Sequence, residues 1–331
     1  MKNSPLPFQK LNRQIQGDFL AATDLPMWID QWLLACDISG HSETTTTRRR
    51  NLLKNLVWFC DHMEIIEVDT IALRNFMHYL ANGHKQPGGR WGNATLTNPL
   101  RPQSLFTYHK EMKTFFRWLI AEEVITKSPL DRIPAPIARA DQVEPFSIDE
   151  MNKIQAACRK SRYASRDRAI VDFLLDTGIR VNELCTLRLC DLSLAEGKAV
   201  VQGKGNKSRV VYFHRHAKNS MWQYLRGADR DLETDLVFMG EKGPLTRSGV
   251  QQMIERLAKA GGVHHAHPHK FRHTFAIMFL RAGGNTFTLQ TLLGHTDIKM
   301  TQKYVALADA DMANQHRAHS PLEFMSKRGL K

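Results

Sequence analysis

No stretch of this chain approaches the ~18 consecutive apolar residues of a membrane-spanning helix, so a membrane-embedded protein is not expected. Met1 to Leu20 is polar and broken by Pro5 and Pro7. It lacks the apolar core followed by small residues that marks a secretory signal. Cysteine is scarce and odd in number: Cys36, Cys60, Cys158, Cys185 and Cys190, none in C-x-x-C spacing. That argues against a disulfide scaffold and fits a reducing cytoplasm, with most of the thiols serving as small hydrophobes. There is no internal repeat and no low-complexity tract. Acidic residues are also short, 33 against 46 Lys plus Arg, for a net charge of +13. Such an excess favours polyanions, because each neutralised phosphate releases a condensed counterion. The positive charge is spread along the chain rather than massed on one amphipathic helix, which suits nucleic acid better than an anionic membrane.

With 331 residues, about two domains are expected. Helical spacing of apolar residues predicts helices near 27–35, over 44–62 with Leu52, Leu53, Leu56, Val57 and Phe59, over 70–80, and over 103–121. Between the last two lies a glycine- and proline-bearing loop, 82–102. Four helices without a convincing strand suggest a helical bundle over 25–127, after an extension at 1–24. Pro129, Pro134, Pro136 and Pro145 stiffen the chain and mark 128–146 as a linker. Ser147 followed by Glu150 is a capping-box pattern that opens the second domain. There, helices are predicted over 166–176, 180–187, 248–260, 268–282, 286–293 and 297–308. The runs Lys198 to Gln202 and Ser208 to Phe213 form a β-hairpin with a glycine-rich tip. The expected fold is mostly α with a small β-sheet: a helical first domain, a mixed α/β second domain over 147–308, and a tail at 309–331.

Four words in the second domain carry chemistry. In Thr177-Gly178-Ile179-Arg180-Val181-Asn182-Glu183-Leu184, Arg180 starts a helix after a glycine turn. Near the positive end of that helix a guanidinium can fork onto a phosphate, and Glu183, on the same face, can orient it. In Gly203-Lys204-Gly205-Asn206-Lys207-Ser208-Arg209, the glycines allow close approach to a ligand and Lys204 can donate a proton. In His267-Pro268-His269-Lys270-Phe271-Arg272-His273, the i, i+3, i+4 spacing puts His269, Arg272 and His273 on one helix face. The fourth word runs from Leu292-Leu293-Gly294-His295 to Thr301-Gln302-Lys303-Tyr304. Each alone has an ordinary structural explanation: a surface ion pair, a solvated turn, a helix-end feature, a packing tyrosine.

Taken together, the order Arg180, Lys204, His269, Arg272, His295, Tyr304 resembles the active-site order of the tyrosine recombinases, the phage-integrase family. The local words look like those of its Xer-type branch. The resemblance covers about residues 145–308 strongly and the first domain in outline, as a SAM-like core-binding domain. The 82–102 loop looks like an addition. The resemblance implies a site-specific DNA recombinase acting in integration, excision or dimer resolution. Tyr304 attacks a phosphodiester and keeps the 3′-phosphate, while Arg180, Arg272, His269 and His295 stabilise the transition state. Lys204 protonates the leaving 5′-hydroxyl, Glu183 supports Arg180, and His269 assists proton transfer at Tyr304. Because one phosphodiester replaces another, no nucleotide cofactor is needed, and no metal is implied. Double-stranded DNA is the implied partner. A homo-tetramer, or a hetero-tetramer with a second recombinase, would work on two DNA sites, with the tail packing on a neighbouring protomer. Arg48, Arg49, Arg50, Lys207 and Arg209 are candidate DNA contacts. Three alternatives stay open at this point: a type IB topoisomerase-like enzyme, a catalytically silent DNA-binding relative, and a metal-dependent nuclease built on His264 to His273.

Overall fold

The computed structural model describes residues 18–84, 88–138, 144–203, 207–227, 234–241, 243–295, 300–302, 304–305, 316 and 320–326. The chain divides into two compact units, Met1–Asp141 and Gln142–Lys331. Among the described residues no helix is long and apolar enough to cross a membrane.

The first unit holds α1 (Leu25–Ile38), α2 (Glu43–His62), α3 (Thr70–Ala81) and α4 (Pro102–Ala121). Proline opens α1 and α4, and the Asp69 carboxylate caps α3 by accepting from the Ala72 amide at 2.7 Å. The apolar residues of α1 fall at helical spacing, so Leu25, Ile29, Trp32, Leu33 and Cys36 are buried together. They join Phe59, Phe76, Phe115 and Phe116 in one core. Two strands missing from the expected bundle, β1 (Leu20–Ala21) and β2 (Glu67–Val68), pair antiparallel. Two residues are too few for an alternation pattern to register. The described residues of the 82–102 loop form a folded excursion: His84 N donates to Thr97 O, Arg90 N to Leu96 O and Leu100 N to Leu80 O. Trp91 lies 5.4 Å from the Trp58 ring and 5.3 Å from that of Tyr79.

The second unit holds α5 (Ile148–Arg159), α6 (Ala164–Thr177), α7 (Val181–Cys185), the strands β3 (Leu192–Ser193), β4 (Lys198–Gln202) and β5 (Ser208–Tyr212), and α8 (Arg215–Arg226). Then come β6 (Met239–Gly240), β7 (Gly243–Pro244), α9 (Arg247–Gly261), α10 (Pro268–Arg281), α11 (Thr286–Leu293) and the short α12 (Pro321–Ser326). The predicted hairpin has Lys198 opposite Tyr212 and Gln202 opposite Ser208, with β3 on the other side of β4. The Ser147 capping box forms. Helix α8 has no counterpart in the sequence reading. Its inward residues are Ala217, Ser220, Met221 and Tyr224, helically spaced but too small or polar to announce an apolar face. Leu130 is buried in the first unit's core and Phe146 in the second's, so the stretch free of both is narrower than 128–146.

Candidate active site

The site is built where α6, α10 and α11 present their ends. Gly178 terminates α6 in the left-handed region at φ +60°, and a Cβ there would stand 2.3 Å from the Phe275 ring. This turn delivers Arg180 to the start of α7. Glu183, one turn on and 2% exposed, accepts from the Arg180 amide at 2.8 Å and from its Nη1 at 3.0 Å. Arg209, reaching in from β5, grips the same carboxylate with Nη1 at 2.7 Å and Nη2 at 2.8 Å. Burial alone would raise the Glu183 carboxyl. The hydrogen bonds from Arg209 and the Arg180 amide outweigh it and hold the group below its ordinary value.

Helix α11 ends on Gly294, also left-handed at φ +62°. Its last carbonyls lack intrahelical partners and receive three guanidiniums: Arg209 Nε on Leu292 O at 2.7 Å, Arg272 Nη2 on Leu293 O at 2.7 Å and Arg180 Nη2 on Gly294 O at 3.3 Å. Arg272 also donates through Nη1 to Gly178 O at 2.8 Å. It is 2% exposed, and among the described residues no carboxylate pairs with it. Burial, and then the nearby charge of Arg180, bring its pKa down to about 10, still a cation at neutral pH. Three guanidiniums thus share the end of α11, two of them paired with one carboxylate, and the excess positive charge suits a phosphate.

Tyr304 stands in helical backbone, is 6% exposed, and packs on Ala276, Ile277, Leu289 and Leu293 of α10 and α11. Burial raises its phenol above the ordinary value against the pull of Arg272 and Arg180. The nitrogen within hydrogen-bond distance of its hydroxyl is His273 Nδ1, at 2.8 Å, not one of His269. His269 lies one helical turn before His273, with ring centroids 4.4 Å apart. His295 lies with its ring nearly parallel to Tyr304, centroids 6.2 Å apart, and its Nδ1 is 2.9 Å from the hydroxyl of the fully buried Thr301. Burial and then Arg272 hold His295 down to about 4, while burial and then His269 do the same for His273, also to about 4. Burial and then Arg272 lower His269.

Of the sequence candidates, Arg180, Glu183, His269, Arg272, His295 and Tyr304 therefore gather in one place. Lys204 falls outside the described residues. The base of its hairpin does not: Gly203 N donates to Lys207 O, and a Cβ on Gly203 would lie 3.7 Å from Glu183 Oε1. Lys207 is exposed. Arg209, offered as a DNA contact, is turned onto Glu183 and is 12% exposed. In the first unit, Arg48 and Arg49 both pair with buried Glu111, and Arg50 pairs with Asp30. Arg48 and Arg50 remain open to solvent, whereas Arg49 is covered and lies 4.9 Å from the Trp32 ring. Sequence reasoning missed His273 and Thr301 as partners. The shared face of His269, Arg272 and His273 was the one available signal.

The phage integrase family model matches residues 146–311. A tyrosine recombinase XerC of Lactobacillus delbrueckii subsp. bulgaricus is 30% identical over 261 residues, 76% of this chain and 84% of that protein. A XerC of Xanthomonas campestris pv. campestris is 30% identical over 288 residues, covering 86% and 84%. Among solved structures, the XerH site-specific recombinase bound to palindromic difH substrate aligns with a TM-score of 0.68 at 18% identity, over 92% of this chain and 97% of that one. The Tn1549 transposon integrase in complex with circular intermediate DNA aligns with a TM-score of 0.69 at 17% identity, over 92% and 100%. The structures speak for the fold and the sequence relatives for the lineage: this chain belongs to the phage integrase family of site-specific tyrosine recombinases, on its Xer-like side.

Proposed function

We propose that this recombinase cleaves double-stranded DNA by attack of Tyr304 Oη on a backbone phosphodiester, forming a 3′-phosphotyrosyl bond and releasing a 5′-hydroxyl. The observation that carries this reading is that Arg180 and Arg272, from distant parts of the sequence, are fixed together on the carbonyl end of α11, beside His295, whose ring faces that of Tyr304. The guanidiniums receive the charge that spreads over the non-bridging oxygens. Glu183 holds Arg180 in place, and Lys204 protonates the 5′-oxygen as it leaves. Attack by a 5′-hydroxyl from another strand reverses the step without a nucleotide or a metal, because the phosphodiester is conserved. The first unit grips the duplex, with Arg48 and Arg50 as phosphate contacts. Four protomers, all of this chain or shared with a second recombinase, act on two DNA sites in the cytoplasm.

The test is covalent trapping in EDTA on nicked duplexes made from the DNA flanking the gene. A protein–DNA adduct on a denaturing gel that disappears in Tyr304→Phe is the expected result. Salt-sensitive binding of the same duplexes with no adduct would overturn the catalytic reading.

A further inference from the structure

Cleavage requires the Tyr304 phenol to lose its proton, and among the described residues none of the groups assigned above to transition-state chemistry is hydrogen-bonded to that oxygen. One residue outside that set is. His273 Nδ1 lies 2.8 Å from Tyr304 Oη, with the rings 5.4 Å apart. Both belong to covered structure: His273 is half-buried on α10, and Tyr304 packs on the apolar faces of α10 and α11. We propose that His273 is a catalytic residue of this enzyme, the proton acceptor for Tyr304 in cleavage and the proton donor to it in rejoining. This rests on the reading of Tyr304 as nucleophile.

His273 is the neutral Nε2–H tautomer, and its Nδ1 lone pair accepts the hydrogen bond that the phenol donates. As Oη bonds to phosphorus, its proton passes to Nδ1. The bond from phosphorus to the 5′-oxygen breaks, its electron pair leaves with that oxygen, and the general acid protonates it. In rejoining, the 5′-hydroxyl attacks, the Tyr304–phosphorus bond breaks, and the imidazolium returns its proton to Oη. His273 is uncharged at neutral pH, so its lone pair is available, because burial and the positive groups around it disfavour the cation. Those groups are His269, His267 and Arg272 on or next to α10, and His295 after α11. A phosphodiester entering this site brings negative charge, which favours the imidazolium at the moment it forms. His269 touches His273 edge to face at 4.4 Å and acts on Tyr304 through it.

Two measurements test this. The first needs no DNA. In protein labelled with ¹⁵N-histidine, the Nδ1 resonance of His273 is expected in the unprotonated range and is expected to move in Tyr304→Phe. A protonated Nδ1 would overturn the proposal. The second uses the duplex that traps the wild type, resynthesised with sulfur in place of the bridging 5′-oxygen. A thiolate leaves without a general acid, so this substrate isolates activation of the nucleophile. Single-turnover cleavage by His273→Ala is expected to fall at least ~100-fold on both substrates, the size of a general-base contribution. Lys204→Ala should recover only on the sulfur substrate. His273→Asn keeps an acceptor near the Nδ1 position but cannot take the proton, so it should stay as slow as Ala. Wild-type rates in His273→Asn, or rescue of His273→Ala by sulfur, would overturn the proposal. Failure of the wild type to form any adduct would count against Tyr304 chemistry itself, and the resonance measurement would still decide the state of His273.

Discussion

Glu183 and Arg209 meet side-on within the second unit, Nη1 on Oε1 at 2.7 Å and Nη2 on Oε2 at 2.8 Å. Arg180 completes the cluster, its Nη1 on Oε1 at 3.0 Å. Removing one partner of a buried pair costs more than the pair contributes, because the remaining charge is left uncompensated. Glu183→Gln is therefore expected to lose about 3 kcal/mol of unfolding free energy in urea and to cleave slowly. The double variant Glu183→Gln/Arg209→Met should recover part of the stability and none of the activity. Glu183 titrates below its ordinary value, so its contribution is present above the unfolded pKa of about 4.3. That contribution is lost as pH falls through the lower folded value. Equal stability of wild type and Glu183→Gln at pH 7 would contradict the role given to the carboxylate.

His295 works in the opposite charge sense. Its folded pKa, about 4, lies below the unfolded value of about 6.5, so the unfolded chain binds the proton more tightly. Stability should fall as pH drops from about 6.5 to about 4 and flatten beyond. For one such residue the loss is on the order of 3 kcal/mol. His273 adds a change of the same sign in the same window. Denaturation midpoints at pH 7, 6, 5 and 4 should show a shallower slope in His295→Gln. An unchanged slope would mean that His295 is not held neutral by the fold.

Two helix-ending glycines separate backbone strain from crowding. Gly178 and Gly262 are both left-handed, at φ +60° and +67°. A Cβ on Gly262 meets nothing within 4 Å, whereas on Gly178 it strikes the Phe275 ring. Gly262→Ala should cost about 1 kcal/mol. Gly178→Ala should cost clearly more and lower the cleavage rate as well, because the Gly178 carbonyl is a partner of Arg272. Thermal melts and single-turnover cleavage of both variants would check this, and equal melting temperatures would refute it.

Arg48 and Arg49 share Glu111 yet differ in exposure. Arg49→Ala should destabilise the first unit by about 2 kcal/mol, since it strips a buried carboxylate of a partner and uncovers Trp32. Arg48→Ala should cost less, because the Arg48 side chain is 57% exposed and water can take its place on Glu111. The variant's main effect belongs in DNA binding, as a uniform loss of affinity with a salt slope shallower by about one. Mutual exchange of these two phenotypes would reverse the assignment.

Legibility in the sequence tracked the size and regularity of each signal. The long amphipathic helices were readable because Leu53, Leu56 and Phe59, or Met112, Phe115 and Phe116, recur at helical spacing. The Ser147 capping box and the hairpin over 198–212 were readable from local chemistry. Helix α8 was not, because its inward face is Ala, Ser, Met and Tyr. The pairs β1–β2 and β6–β7 were not, because two residues carry no period. At the site, residue types and order were legible, but pairings were not. Nothing in the sequence states that His273 and Tyr304, separated by 31 in number, touch. Arg209, read as an outward cation, is turned inward because Glu183 is buried and requires a second donor.

The end of α11 fastens three arginines by their nitrogens to three consecutive carbonyls. An arginine free to rotate would give up about 2 kcal/mol of rotamer entropy when a phosphate fixes it. Here that ordering is complete before DNA arrives. The arriving phosphate needs only to compete with neutral carbonyls for guanidiniums already aimed, so the recognition centre is a rigid template rather than one that assembles around its ligand.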